Sequence, residues 1–586
     1  MSKLVRALVV IERINGVGIF VGLVGVAILF HGLAGRPVAA TLWGNDLDPN
    51  LIVWTVEWVY HSIFVWATPF DLWNANSYYP HLKSLAYSDS MLSAQLLYAP
   101  LRLLGISTLP ALYLTLAAVC VAGATLTDHL LRNYQFTAGE RALAIGAAHF
   151  SLPITVFLIV NFQLFGMQLA PPFFLVLHRL LNRWHGTDLV LVTILFCLAG
   201  GFATYFVPMA GLVAVLVCLI FLARLVRYQS GVSVVRALGW KSIAASLAIL
   251  LVFFVVQMLP YLSLFRSLPP QSLSETFQYS ARPWSILLDA SSRSLWYKPR
   301  PMTWGYWERT AFPGFSLLLL AGVGGFAFLR RAPGVSLDAT DKPAIPLAAY
   351  ALAVFAVCWV LSWGPWLRPC CSGFQLDLPY LFFVHFVPGV SNVRAPGRFA
   401  QFFGLPLGLI AVLSARWWGT RWRLATTIGA ALLAAVVLID QLPNIAIYPF
   451  NIDHADFFRA AKPLIKQGEP IIELPIAGPD PVATWRARLR QLVSSMILWN
   501  RLVDGAGSRE TPELNELIDL DKRLHHGEAS LADVATFARK LGISTLVLFF
   551  DDYSPDMREK IEHEIPDVGA RLLVSNPEGL ILRLTP

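Results

Sequence analysis

The sequence predicts a polytopic α-helical membrane protein of about eleven transmembrane helices, followed by a small soluble α/β domain. Three observations predict it. Of 586 residues, 56% are hydrophobic and 14% charged, against roughly 25% charged in soluble domains. Long apolar runs recur up to residue 446. Beyond it they give way to short runs separated by polar, turn-forming residues.

A hydrocarbon core of roughly 30 Å takes about 20 apolar residues per helix. Spans are placed near 14–35, 106–128, 140–160, 168–182, 189–204, 207–223, 242–262, 314–329, 345–364, 399–415 and 424–445. Pro153, Pro171 and Pro172 predict kinked or partly inserted helices packed within protein. The first run is too long for a signal-peptide core and lacks a clear cleavage site, so it reads as an anchor. The 19 Trp and 37 Phe suit aromatic belts at both bilayer surfaces.

Orientation follows from the basic residues. With the N-terminus inside, the inner loops hold 17 Lys and Arg in 77 positions, and the outer loops before residue 446 hold 12 in about 166. That bias predicts a cytoplasmic N-terminus and a C-terminal domain on the outer face. The formal charge of +8 is therefore topological, and no nucleic-acid partner is expected. Cys120, Cys197, Cys218 and Cys358 lie in apolar runs, and the adjacent Cys370 and Cys371 have no metal-ligand spacing.

Three outer loops are long: 36–104, 263–313 and 365–398. Loops of this length usually carry function or their own structure. In the first, the aromatic-rich residues 50–66, with Glu57 and His61 four apart, and residues 87–104 read as helices lying at the membrane interface. The transmembrane domain thus covers 1–446, including this loop, and the soluble domain 447–586. In the latter, strands are expected at 471–474 and 545–550 and helices at 483–499 and 554–564. A hairpin over 571–585 turns at Asn576-Pro577-Glu578-Gly579.

Candidate chemistry falls on the outer loops. Asp46 and Asp48 sit just before an interfacial helix, where a carboxylate can act as a general base or anchor a cation. Asp48 also reads as a helix cap. Glu57, His61, Tyr79, His81, Tyr87 and Asp89 follow in the same loop as substrate-lining candidates; for the histidines a satisfied interfacial side chain is the simpler reading. The second loop mixes Glu275, Arg293, Lys298, Arg300 and Glu308 with Tyr279, Trp296 and Trp304. That mixture suits phosphate pairing with sugar stacking, or a solvated basic rim. Arg394 and Arg398 at a span mouth can hold a lipid phosphate or snorkel. Asn161, Gln163 and Tyr205 line a cavity or bond to helix ends. No P-loop, dinucleotide fingerprint, HExxH or GxSxG is present, which excludes ATP-driven pumps and zinc proteases of the common kinds.

Four elements recur in order: Asp48-Pro49; Tyr79-Pro80 with Leu85-Ala86-Tyr87-Ser88; Glu308 with Phe312-Pro313-Gly314; and Arg394-Ala395-Pro396-Gly397-Arg398-Phe399. In this the chain resembles bacterial GT-C-like membrane glycosyltransferases, with weaker similarity at Glu473-Leu474-Pro475 and Asp504-Gly505. Leu47 stands where the family has a glycine directly before the aspartate, so Asp46 remains a second candidate. The resemblance implies a bacterial cytoplasmic-membrane enzyme. It would transfer a sugar from a polyprenyl-phosphate donor to a lipid, glycan or protein acceptor on the outer, periplasmic face. It further implies inversion at the anomeric carbon, Asp48 as base, and Arg394, Arg398, Lys298, Arg293 and Arg300 around the donor phosphate and lipid. Some GT-C enzymes bind a divalent cation; this sequence requires no cofactor. The competing readings are a non-catalytic handler of lipid-linked glycans, such as a flippase or export component, and a glycan polymerase or ligase. The near absence of Asp and Glu from the apolar runs disfavours a transporter.

Overall fold

The computed structural model describes residues 16–44, 47–228, 231–266, 271–287, 306–330, 337, 345–367, 375–387, 389–419, 423–442, 446–450, 452–478, 480–506, 510–550 and 553–585. Asp46, Arg293, Lys298, Arg300, Cys370 and Cys371 lie outside them. Two compact units result. The first comprises Met1–Arg36, Tyr113–Met258 and Leu268–Ile447, the second Pro37–Leu112, Leu259–Ser267 and Tyr448–Pro586.

The first unit is helical because its sequence offers apolar runs with few breakers. Among the described residues, six helices are long and apolar enough to cross a membrane: Gly16–Leu33, Thr108–Arg132, Phe162–Arg183, Phe206–Arg224, Trp240–Phe265 and Pro396–Trp418. A seventh arises if Ala138–Phe150 and Leu152–Leu158, bent by 43°, count as one span. Pro153 explains the bend, since it lacks the N–H that would continue the ladder. Gly186–Phe202, Phe315–Leu329, Leu347–Ser362 and Thr427–Asp440 also fall where spans are expected, but are shorter apolar helices. At 1.5 Å per residue they fall short of roughly 30 Å. Thr137 starts the 138–150 helix with a capping box, accepting from the Glu140 amide while Glu140 accepts from its own. Arg416 and Glu140 pair at 2.8 Å, and Arg141 and Asp128 pair, fully buried, at 2.6 Å.

The second unit is built on a five-stranded sheet: β1 (Pro470–Leu474), β2 (Arg501–Leu502), β3 (Thr545–Phe549), β4 (Ala570–Asn576) and β5 (Gly579–Leu584). Their order is β2-β1-β3-β5-β4. β1 is parallel to both neighbours, and β5 is antiparallel to β3 and β4. β3 is buried at every position, as the apolar run after Thr545 requires of a central strand. Helices Pro481–Ser494, Pro512–His525, Leu531–Lys540 and Pro555–Glu564 begin at Asp480, Thr511, Ser530 and Ser554, whose side-chain oxygens accept first-turn amides. Three of them place Pro in the first turn, where its missing N–H costs nothing.

Residues 37–112 belong to this same unit. Their helix Asp48–Tyr60 is buried from Leu51 through Tyr60. Leu51, Trp54 and Trp58 share a core with Phe457, Leu489 and Trp499. The expectation that residues 50–66 lie on the bilayer surface therefore does not hold for 51–60: the helix presents no free apolar face, because its aromatics pack on protein. Helix Gln95–Leu103 differs, leaving Leu96, Leu97 and Leu103 exposed.

Candidate functional site

In the second unit, Asp48 is the first residue of its helix, with Leu47 as N-cap and Pro49 following. A carboxylate there faces the positive end of the helix dipole. It is half-buried.

One helical turn before the C-terminus of that helix, Glu57 anchors a network. Its carboxylate accepts from the Tyr98 hydroxyl and from the Thr108 hydroxyl at 2.7 Å, and pairs with Arg102 at 2.8 Å and His61 at 3.2 Å. Burial alone would raise the pKa of Glu57. The bonds from His61 and Tyr98, the charge of Arg102 and the bond from Thr108 outweigh it and pull the pKa down to about 2. Burial and the Glu57 charge push the Tyr98 hydroxyl up. Glu57 thus fixes Gln95–Leu103 against Asp48–Tyr60.

Residues 76–79 join the edge of the sheet. Leu502 N–H donates to Asn76, Tyr78 N–H to Asp504 and Tyr79 N–H to Leu502, at 2.8–3.0 Å. The Asn76 side chain accepts from Trp54 and donates to Ser495 and the Asn500 carbonyl. Tyr78 and Tyr87 stack at 4.3 Å. Gly505 permits this, since a Cβ there would lie 2.4 Å from the Tyr78 ring. Asp504 is ion-paired with buried Arg488 at 3.1 Å. The Asp504-Gly505 element is therefore an attachment point for the segment that bears Tyr79 and Tyr87. Asp89 is buried, and His81 pairs with Glu513 at 2.7 Å. Tyr79 and His81 line a cavity of about 270 Å³ that also takes in Trp58, Trp66 and Trp499. These tryptophans meet with ring centroids 5.4–5.8 Å apart. The cavity combines flat aromatic walls with the polar groups of Asn74, Asp71 and His81, the make-up of a small-molecule site.

In the first unit, Arg398 is buried and grips Glu308 with two bonds, Nε to Oε2 at 2.8 Å and Nη2 to Oε1 at 2.6 Å. Its guanidinium lies 4.7 Å from the centre of the Tyr205 ring. Gly397 makes this possible: a Cβ would come within 2.1 Å of the Glu308 carbonyl oxygen. The Glu308 and Arg394–Phe399 elements are thus two halves of one buried pair. Arg394 lies 4.9 Å from the centre of the Tyr279 ring and 3.7 Å from Glu275. Gln163 donates to Asn161 at 3.4 Å. Asn161 Nδ2 and Gln163 Oε1 are buried without a hydrogen-bond partner among the described residues. Among those residues no group of three His, Cys, Asp or Glu side chains could hold a metal ion.

Sequence reading singled out neither Arg102, Tyr98 and Thr108 nor Asn76. The signal it lacked is long-range: Asn76 meets partners more than 400 positions away.

No protein-family model and no curated protein matches the chain by sequence. By structure it is similar to arabinofuranosyltransferase AftD from Mycobacteria, with a TM-score of 0.57 and 15% identity over 97% of this chain. The chain is similar in fold to a GT-C membrane glycosyltransferase. It spans 40% of the AftD chain. A mutant of that enzyme gives a TM-score of 0.50 at 14% identity, covering 97% of this chain and 41% of the other. The resemblance carried by the four sequence elements thus holds at the level of the fold, and the chain is a multi-pass membrane protein.

Proposed function

We propose that this protein transfers a sugar from a polyprenyl-phosphate-linked donor to a lipid, glycan or protein acceptor. The fold likeness to a membrane arabinofuranosyltransferase, which extends over nearly the whole chain, carries the reading. The site is assigned to the outer face of a bacterial cytoplasmic membrane, with eleven membrane-embedded helices and a cytoplasmic N-terminus. The basic-residue bias supports that orientation. The four shorter apolar helices count among the eleven.

Asp48 is assigned as general base, with Asp46 as the second candidate. One displacement with one base inverts the anomeric carbon: the acceptor hydroxyl loses its proton to the carboxylate as its oxygen bonds to that carbon, and the phosphate leaves with the bonding electron pair. Departure needs a cation at the developing charge. Arg394 is the stronger assignment. Arg398 is committed to Glu308, so its role is to hold the segment that carries Arg394. Lys298, Arg293 and Arg300 remain further candidates for the donor phosphate.

The test is reconstitution of the purified chain in liposomes with polyprenyl-phosphate-linked pentose and hexose donors. The reading requires release of polyprenyl phosphate and a product of inverted configuration. A retained configuration would remove the single-base mechanism, and no release from any donor would remove the transferase reading.

A further inference from the structure

A second cavity lies in the sheet domain, away from Asp48 in the chain and sharing no residue with the tryptophan-lined cavity. Topology explains its place. From β1 the chain runs through helix Pro481–Ser494 to β2 on one side, then through two helices to β3 on the other. The connections leaving β1 and reaching β3 diverge at the carboxyl end of β1, and such a switch point opens a crevice in parallel α/β sheets. The crevice is a cavity of about 390 Å³ lined by Glu473 near the end of β1, Phe549 at the end of β3, Gln491 and Ser494 on the helix, and His454. That volume falls within the roughly 300–1,000 Å³ of small-ligand sites.

Its walls carry unmade hydrogen bonds. Glu473 is 3% exposed, and neither of its carboxyl oxygens has a partner among the described residues. Gln491 spends its amide N–H groups on the carbonyls of Glu473 and Pro475 at 3.3 and 2.9 Å, leaving Oε1 buried and without a partner among the described residues. Buried polar groups are nearly always satisfied, so each such exception calls for a partner. Burial, then the nearby Asp504, pushes the Glu473 carboxyl well above the usual range, which favours its neutral form. A neutral carboxyl offers one O–H donor and one carbonyl acceptor, and Gln491 adds a second acceptor. Such a set suits neither an anion nor, with its carboxyl protonated, a metal ion. Arg490 on the same lining is paired with Asp453 at 3.6 Å. The set does match the mixed donors and acceptors of adjacent sugar hydroxyls. The His454 ring, stacked on Phe549 at 4.0 Å and 12°, supplies a flat wall for a sugar face.

We propose that the cavity on Glu473 is a carbohydrate-binding site, taking a neutral sugar residue through Glu473 and Gln491 against the His454–Phe549 stack. Binding there does not require sugar transfer at Asp48.

The full-length protein in detergent is titrated with a panel of neutral di- and trisaccharides of pentofuranose, glucose, mannose and galactose units, read by saturation-transfer NMR and calorimetry. Wild type is expected to bind at least one. Glu473→Gln keeps a donor and an acceptor and stays within a few-fold. Glu473→Leu removes both, and Ala487→Trp fills the lining; each weakens binding at least tenfold. Should the leucine variant fail to fold, Ala487→Trp decides. Asp48→Asn leaves binding unchanged, which separates this site from the transferase reading. Binding to no panel member, or unchanged binding in the variants that fold among Glu473→Leu and Ala487→Trp, overturns the proposal.

Discussion

Replacing Glu57 with glutamine removes one negative charge from a pocket that holds Arg102, Tyr98, Thr108 and His61 around it. Its carboxyl, ordinarily near 4.5, is held at about 2. At ~1.4 kcal/mol per pKa unit, the folded unit favours the ionised form by ~3 kcal/mol. Glu57 is 3% exposed, so solvent screening takes little of this away. Because the folded pKa lies below the unfolded one, the stabilisation is fully present above pH ~4.5 and is lost as pH falls through ~2. Glutamine still accepts hydrogen bonds but leaves the Arg102 charge without its carboxylate, and breaking a buried pair costs ~3–5 kcal/mol. Arg102 is partly exposed, so the lower end is expected. The assay is thermal unfolding of the detergent-solubilised protein followed by tryptophan fluorescence, which Trp58, Trp66 and Trp499 report from the same unit. The wild type should lose stability as pH falls from ~4.5 to ~2. The Glu57→Gln variant should start several degrees lower at pH 7 and show a shallower acid limb. Equal acid limbs in the two proteins would refute the assignment of the charge to this network.

Other expectations follow from single contacts. Gly397→Ala must displace backbone, since the added Cβ lies 2.1 Å from the Glu308 carbonyl oxygen; a loss of ~1–3 kcal/mol and weakened transfer are expected, measured by unfolding temperature and turnover. Gly505→Ala drives a methyl into the Tyr78 ring and should loosen residues 76–79, read as faster hydrogen exchange there with residues 570–584 unchanged. Arg394→Ala should raise the KM for the lipid-linked donor at least tenfold with little change in unfolding temperature, whereas Arg398→Ala should destabilise, because it leaves Glu308 buried without its cation.

The sequence made local elements legible. The strands expected at 471–474 and 545–550 span Pro470–Leu474 and Thr545–Phe549, and the 554–564 helix spans Pro555–Glu564. Each has a strong local signal: a short, mostly apolar run, or a Ser-Pro start. Helices also occupy all eleven places marked by apolar runs. Run length alone does not separate a crossing helix from a shorter one such as Phe315–Leu329. The fate of residues 50–60 was not legible, since Trp54 and Trp58 have the same composition signature whether they meet lipid headgroups or Phe457 and Trp499. Arg398 shows the same limit at the site. Its place at a span mouth suits a phosphate, but its charge is taken by Glu308, 90 positions away. Glu473 carried only a weak motif, and its significance lies in hydrogen bonds left unmade.

The most direct test of the transferase account is sugar transfer by Asp48→Asn in reconstituted liposomes, beside wild type and with insertion checked by protease protection. Asparagine keeps the shape and removes the base. The account predicts that transfer falls by at least ~100-fold, with amount, orientation and unfolding temperature unchanged. Transfer at the wild-type rate in that variant would contradict it.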